Sequence, residues 1–211
     1  MYLFRLLLDL RCREARRDVA DPYELHSTLC RAFSPSNDKC APGTFLWRLE
    51  PERVSGGRVA KVLVQSGTTA AWERIGVKGW LWEDPEPPLD LFSRLRIDAT
   101  SVNKQFRYRI RANPSVFRAG KRLGLLNAND QSKWLERQGA RFGFTPRTCH
   151  KSDERMLVGN RRSGPQIRIF SVLFDGILQV KAPESFRNAV ENGIGHGKAL
   201  GLGLLSVVPV G

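Results

Sequence analysis

MYLFRLLLDL, residues 1–10, followed after a charged stretch by DPYELHSTLCRAF, residues 21–33, decides the fold. The first stretch is short and apolar and ends before a run of arginines, which reads as a buried strand. The second carries the signals of a helix start. Asp21 can cap it, Pro22 suits the first helical position, and Glu24 completes a D-x-x-E capping box. Leu25, Leu29 and Ala32 then fall on one side at i, i+4, i+7, while Tyr23, His26, Ser27 and Cys30 project from the other. Arg11–Ala20 between the two stretches reads as a polar loop, and Ser34-Pro35-Ser36-Asn37 stops the helix.

Working outward, Thr44–Glu50 and Arg58–Gln65 read as strands joined by a turn at Ser55-Gly56-Gly57. A short helix is expected over Thr69–Arg74, a strand over Gly79–Asp84, and a linker at Pro85–Pro88. That order, β-α-β-β-α-β, is the ferredoxin-like unit. The second half repeats it. Leu95–Arg111 contains the alternating run Phe106–Arg111, and Asn113-Pro114 ends that strand. Asp130–Arg141 is a helix anchored by Trp134 and Leu135. Gln166–Leu173 and Gly176–Lys181 form a hairpin turning at Asp175-Gly176. Pro183–Asn192 is a helix and Gly201–Val208 a last strand. The expected fold is α+β: two tandem ferredoxin-like (RRM-like) domains over residues 1–88 and 94–211. No repeat is visible in the residues themselves, so the duplication rests on element order alone.

Charge points to the partner. The 211 residues carry 34 Lys and Arg against 21 Asp and Glu, a net charge of +13. Residues 1–100 hold 15 basic and 14 acidic residues, whereas residues 101–211 hold 19 and 7. A surface charged for solubility spreads its charge; a polyanion site concentrates it. Nucleic acid is the expected partner, since neutralised phosphates release condensed counterions. Cys12, Cys30, Cys40 and Cys149 form no C-x-x-C pair or zinc-finger spacing. Residues 1–10 do not read as a signal peptide, and no apolar run reaches membrane-spanning length. A cytoplasmic protein with reduced thiols, away from membranes, is the expectation.

Tyr23 and His26 are neighbours on one helix and are not needed for its buried stripe. RNA supplies its own nucleophile, the 2′-hydroxyl, so a protein need only align it, move a proton and stabilise the phosphorane. A His titrating near neutrality suits the proton transfer, worth roughly 10²–10⁴-fold. Tyr can orient the hydroxyl, and Arg31 could add positive charge. A His beside a Tyr packed on a loop gives the same pattern, so the pair alone does not decide. No D-x-D, H-E-x-x-H or carboxylate constellation is visible, and the expected chemistry uses no metal and no small-molecule cofactor.

The tail Gly193–Ser206 is rich in glycine but is neither a Walker loop nor G-x-G-x-x-G. Gly195, Gly197, Lys198 and Gly201 suit a phosphate cradle. A tight helix-to-strand connection needing glycine for packing is equally open. Alternation puts Arg107, Arg109 and Arg111 on one strand face, where like charges repel unless an anion or water separates them. Lys121 and Arg122 follow in a loop. Arg155, Arg161, Arg162 and Arg168 flank Gly159-Asn160 and Ser163-Gly164 in what reads as a flexible basic hairpin, able to grip folded RNA by its phosphates.

Pro22-Tyr23-Glu24-Leu25-His26, Arg109-Ile110-Arg111-Ala112-Asn113-Pro114, Lys133-Trp134-Leu135-Glu136-Arg137 and the tail Gly193–Ser206 together resemble the CasE-type CRISPR-associated endoribonucleases, in the same order over nearly the whole chain. The resemblance implies binding of the stem-loop of a CRISPR repeat RNA. It implies one metal-independent cut at the 3′ base of the stem, leaving a 5′-hydroxyl and a cyclic or 3′-phosphate. The product is then retained, with other Cascade subunits as partners. Tyr23 and His26 occupy the family's catalytic positions, and the hairpin near Arg161 and Arg162 matches the region that contacts the stem. Arg31 fits a supporting basic role found in some members. His196 departs from the pattern, which has Pro or a small residue there. The alternative is a non-catalytic protein that binds structured RNA. A DNA-binding protein is disfavoured, because no helix-turn-helix or zinc module is evident.

Overall fold

The computed structural model describes residues 1–34, 40–160 and 164–210. The chain divides into two compact units. The first comprises residues 1–91, 157–168 and 199–201; the second comprises residues 92–156, 169–198 and 202–211.

In the first unit β1 (Tyr2–Asp9) is followed by α1 (Arg13–Ala20), α2 (Pro22–Phe33), β2 (Phe45–Val54), β3 (Val59–Ser66) and β4 (Leu89–Asp90). The antiparallel sheet has the order β2-β3-β1-β4, with Leu6 opposite Val62 and Leu8 opposite Ala60. Phe4, Leu6 and Leu8 alternate into the core and meet Leu25 and Leu29 of α2 with Trp47, Val62 and Val64. Each such buried side chain contributes about 1.5–3 kcal/mol.

Four expectations change here. Arg11–Ala20 is not a loop, since Arg13–Ala20 is helical. Its arginines line the outer side, while Ala15 and Asp18, three residues apart, are buried. The Asp18 carboxylate accepts the Trp80 indole N–H at 2.8 Å and the Arg17 guanidinium at 2.7 Å, which permits a buried acid. The capping box is half made: Asp21 accepts the Tyr23 N–H at 2.9 Å, but its own N–H closes α1 on the Arg17 carbonyl and leaves nothing for Glu24. Gly79–Asp84 is not a full fourth strand. The Trp80 carbonyl accepts the Asp9 N–H and the Trp82 N–H reaches the Leu7 carbonyl, but pairing resumes only at Leu89 and Asp90, opposite Leu3 and Tyr2. Pro85, Pro87 and Pro88 interrupt that edge because proline offers no N–H. The expected helix at Thr69–Arg74 shrinks to a 3₁₀ turn, Trp72–Ile75. Helix α2 ends at Phe33 as expected, and Pro35–Asn37 of its stop signal lie outside the described residues.

The second unit contains α3 (Leu91–Leu95), β5 (Gln105–Ala112), β6 (Ser115–Arg118), β7 (Lys121–Gly124), α4 (Ala128–Arg141), β8 (Phe144–Pro146), β9 (His150–Gly159), β10 (Ile167–Val180), α5 (Pro183–Asn192) and β11 (Leu205–Pro209), some of whose end residues belong to the first unit. Its sheet runs β11-β5-β10-β8, with β9 added on β10. Both units thus place the last strand beside the first and the third between first and second, the ferredoxin-like arrangement in tandem. The expected hairpin at Asp175-Gly176 is absent, because β10 runs straight through. Gly176 pairs with Tyr108, and a Cβ there would lie 2.1 Å from the Thr148 carbonyl oxygen. Glycine marks a close backbone approach there, not a turn. Lys121 and Arg122 belong to a hairpin rather than a loop. It turns at Ala119 and Gly120, both at positive φ, and exposes Phe117 and Leu123. The last strand begins at Leu205, later than the Gly201 expected, since Gly201 and Gly203 both take positive φ. No helix among the described residues is long and apolar enough to cross a membrane.

Candidate active site and nucleic-acid interface

Helix α2 buries Leu25, Leu29 and Ala32 as its spacing requires, and Cys30 goes in with them although expected outside. Tyr23 and His26 stay partly exposed on successive positions of one face. The His26 ring packs on Phe45 with centroids 5.1 Å apart, and Nε2 lies 3.7 Å from the Cys30 sulfur. Its Nδ1 is buried without a hydrogen-bond partner among the described residues. Burial pushes the imidazole below its ordinary value of 6.5, so at pH 7 it stands ready to accept a proton. The start of the helix is held from outside. Gly159 lies over Tyr23, where a Cβ would come within 3.3 Å of the tyrosine Cβ, and the Asn160 side chain donates to Asp21 at 2.8 Å. Arg31 is five residues beyond His26, roughly 140° around the helix. Its guanidinium donates to the Ile75 carbonyl at 3.3 Å, so it is not gathered beside His26.

The basic residues named from the sequence divide. On β5, Arg107 is exposed. Arg109 bonds Asp175 at 2.6 Å, and Arg111, 2% exposed, holds the carboxylate and carbonyl of Asp153. Acids of the same unit therefore separate these like charges, and Arg111 cannot reach a phosphate. Arg155 of β9 is exposed and 3.4 Å from Asp153, and Arg168 of β10 is exposed. Arg161 and Arg162 lie outside the described residues.

Lys121 and Arg122 are exposed on β7. Arg122, Gly195 and Lys198 meet at a cavity of about 690 Å³ in the second unit. Arg118, Arg137, Arg141 and His196 complete its basic lining, and among the described residues Asp130 is the one acid there. The sequence reading missed these three arginines. For the two on α4 a signal was present: Asp130, Trp134, Arg137 and Arg141 recur at 4, 3 and 4 residues, one stripe of the helix. Trp134 stacks on Phe174 with centroids 6.2 Å apart, seating the stripe. Burial first, then the charges of Arg122, Lys198 and Arg141, push His196 below its ordinary 6.5.

The glycines of the tail serve packing more than a cradle. A Cβ at Gly201 would strike the Trp47 ring at 2.8 Å, and one at Gly197 would lie 2.8 Å from Leu202. Gly195 alone of the three has no approach closer than 3.4 Å, to Trp134.

The family model described as CRISPR associated protein matches residues 1–209. The chain is 35% identical over 222 residues to the CRISPR-associated endoribonuclease Cse3 of Thermus thermophilus, covering 99% of this chain and 100% of that one. It is 28% identical over 218 residues to the CRISPR system Cascade subunit CasE of Escherichia coli K12, covering all of both. Among solved structures, Thermus thermophilus Cse3 bound to an RNA representing a pre-cleavage complex superposes with a TM-score of 0.83 at 34% identity, over 99% of this chain and 98% of that one. With so complete a match in sequence and fold, the chain belongs to the CRISPR-associated protein family.

Proposed function

We propose that this protein is an endoribonuclease that cuts CRISPR precursor RNA at the 3′ base of the repeat stem-loop and then retains the guide RNA as a Cascade subunit. The names of the Thermus and Escherichia relatives, and RNA bound to the former, support the activity and the partners. The observation that carries the chemistry is the partly buried His26 with Tyr23 three residues away on the same helix face. His26 accepts the proton of the substrate 2′-hydroxyl as that oxygen bonds to the adjacent phosphorus. The bond to the 5′-oxygen breaks, and that oxygen takes a proton, leaving a 2′,3′-cyclic phosphate and a 5′-hydroxyl. Tyr23 orients the attacking hydroxyl. Arg31 lies away from His26 on the Ile75 carbonyl and, on leaving it, adds positive charge at the phosphorane. The cut needs no metal, because RNA carries the nucleophile and these side chains supply the rest. The cavity of Arg118, Arg122, Arg137, Arg141 and Lys198 grips the stem by its phosphates, and a product held there makes the enzyme single-turnover. The four cysteines are reduced thiols, in keeping with the cytoplasm.

The test is a labelled repeat stem-loop RNA incubated with the protein in EDTA. One cut is expected, lost in His26→Ala and in RNA carrying a 2′-deoxy residue at the cleaved position, with RNA binding by His26→Ala nearly unchanged. Equal loss of binding and cutting in that variant would remove the role given to His26. Tight binding by the wild-type protein with no cut would leave a non-catalytic RNA-binding protein.

A further inference from the structure

We infer that Asn160 is a positioning residue for the RNA cut: through Asp21 it fixes the first turn of α2, and with it Tyr23. The inference rests on the endoribonuclease reading above. An N-cap needs one acceptor for the helix N–H groups, and Oδ1 of Asp21 fills that role for the Tyr23 N–H at 2.9 Å. Oδ2 accepts two further bonds, from the Asn160 N–H at 3.0 Å and its Nδ2 at 2.8 Å. Both donors come from a residue 139 positions away, more than capping asks for.

Asn160 is itself oriented, since its Oδ1 accepts the Gln166 Nε2 at 2.7 Å. Its neighbour Gly159 is buried, and the space a Cβ would need is bounded by Leu200 at 3.1 Å and Tyr23 at 3.3 Å. The carboxylate of Asp21, 9% exposed, is therefore filled on both oxygens by charge-assisted bonds. Tyr23 cannot turn with its helix end unless those bonds break. His26 lies three residues further along the same helix, so the clasp sets the frame in which both groups meet the substrate. Misplacement of a reacting pair by about 1 Å costs on the order of 100-fold in rate.

The experiment exchanges the partners. Asn160→Asp sets two carboxylates against each other, whereas the double variant Asp21→Asn with Asn160→Asp restores a donor–acceptor pair and keeps a competent cap, as Asn caps helices about as well as Asp. Cleavage is measured in single turnover at saturating stem-loop RNA, beside the dissociation constant and the thermal midpoint. For Asn160→Asp the rate is expected to fall about 30- to 100-fold with a dissociation constant within about threefold of wild type, and the exchange to bring the rate back to within about fivefold. Asn160→Asp cutting at the wild-type rate, or the exchanged pair as slow as the single variant, overturns the inference. So does a loss confined to binding. If Asn160→Asp does not fold, Asn160→Ala takes its place, with an expected rate loss of about tenfold and an unchanged rate as the refuting result. A wild-type protein that binds but never cuts removes the endoribonuclease reading instead, and the inference with it.

Discussion

Two sets of arginines in the second unit share a residue type and differ in fate. Two of those on β5 face acids: Arg109 has Asp175 and Arg111 has Asp153. Those around the cavity, Arg118, Arg122, Arg137 and Arg141 with Lys198, share one acid among the described residues, Asp130. The first set is neutralised within the fold and acts as structure. The second accumulates positive potential in a concave surface, which attracts a polyanion. Net charge counts both sets alike, so a strand of alternating arginines looked like the interface while a helix stripe went unnoticed. A cation becomes a binding group only where the fold withholds its counter-charge.

The largest effect should come from removing a member of the first set. Arg111→Ala deletes a side chain 3% exposed and leaves Asp153, 27% exposed, with the longer contact to Arg155. Breaking such a pair should destabilise the protein by about 3 kcal/mol, the low end of the usual range because Asp153 keeps some water. Denaturant unfolding measures this. The salt dependence of RNA binding by the folded fraction should not change. A variant that keeps its stability but loses salt-dependent affinity would erase the distinction between the two sets.

Removing members of the second set should do the reverse. Arg137→Ala with Arg141→Ala takes two exposed cations from α4. Stem-loop affinity should fall about tenfold, the log–log salt slope should flatten by about two, and stability should stay within about 0.5 kcal/mol. Filter binding across a salt series and a denaturant melt decide it together. An unchanged slope would place the RNA backbone elsewhere on the protein.

These outcomes also mark how far the residues alone could be read. The tandem β-α-β-β-α-β order was legible because strands such as Phe106–Arg111 and helices such as Pro22–Phe33 announce themselves by local period and caps. Helix α1 was not, since its Arg-rich face hides a buried Asp18 that needs Trp80, 62 positions away, as a donor besides Arg17. Gly176 was misread as a turn because the residue that demands glycine there, Thr148, is distant in sequence. Tyr23 and His26 could be proposed because helix periodicity leaves them off the core face. Asn160 was seen only as part of a flexible basic hairpin, because its partner Asp21 is reached through the fold. What local spacing encodes was readable; what depends on a distant partner was not.

The smallest effect concerns the one cavity residue whose charge changes near neutral pH. His196 is held below 6.5 by burial and by Arg122, Lys198 and Arg141, so in the empty cavity it is mostly neutral at pH 7. Arg118 and Arg137 add to that field and Asp130 opposes it. RNA phosphates entering the cavity reverse the field and raise the imidazole's proton affinity, so binding takes up a fraction of a proton. The sign follows by linkage: affinity should rise as pH falls through the window below about 7, where the RNA-bound form holds the proton and the empty form does not. A gain of about threefold between pH 7.5 and 6 is expected at fixed salt. Measuring it in the His26→Ala background prevents cutting and removes the other histidine held below its ordinary value. His196→Gln should flatten the dependence while leaving the salt slope nearly as steep, because the arginines remain. A dependence that survives His196→Gln would put the proton outside the cavity, and would leave the cavity's attraction for RNA to its permanent charges alone.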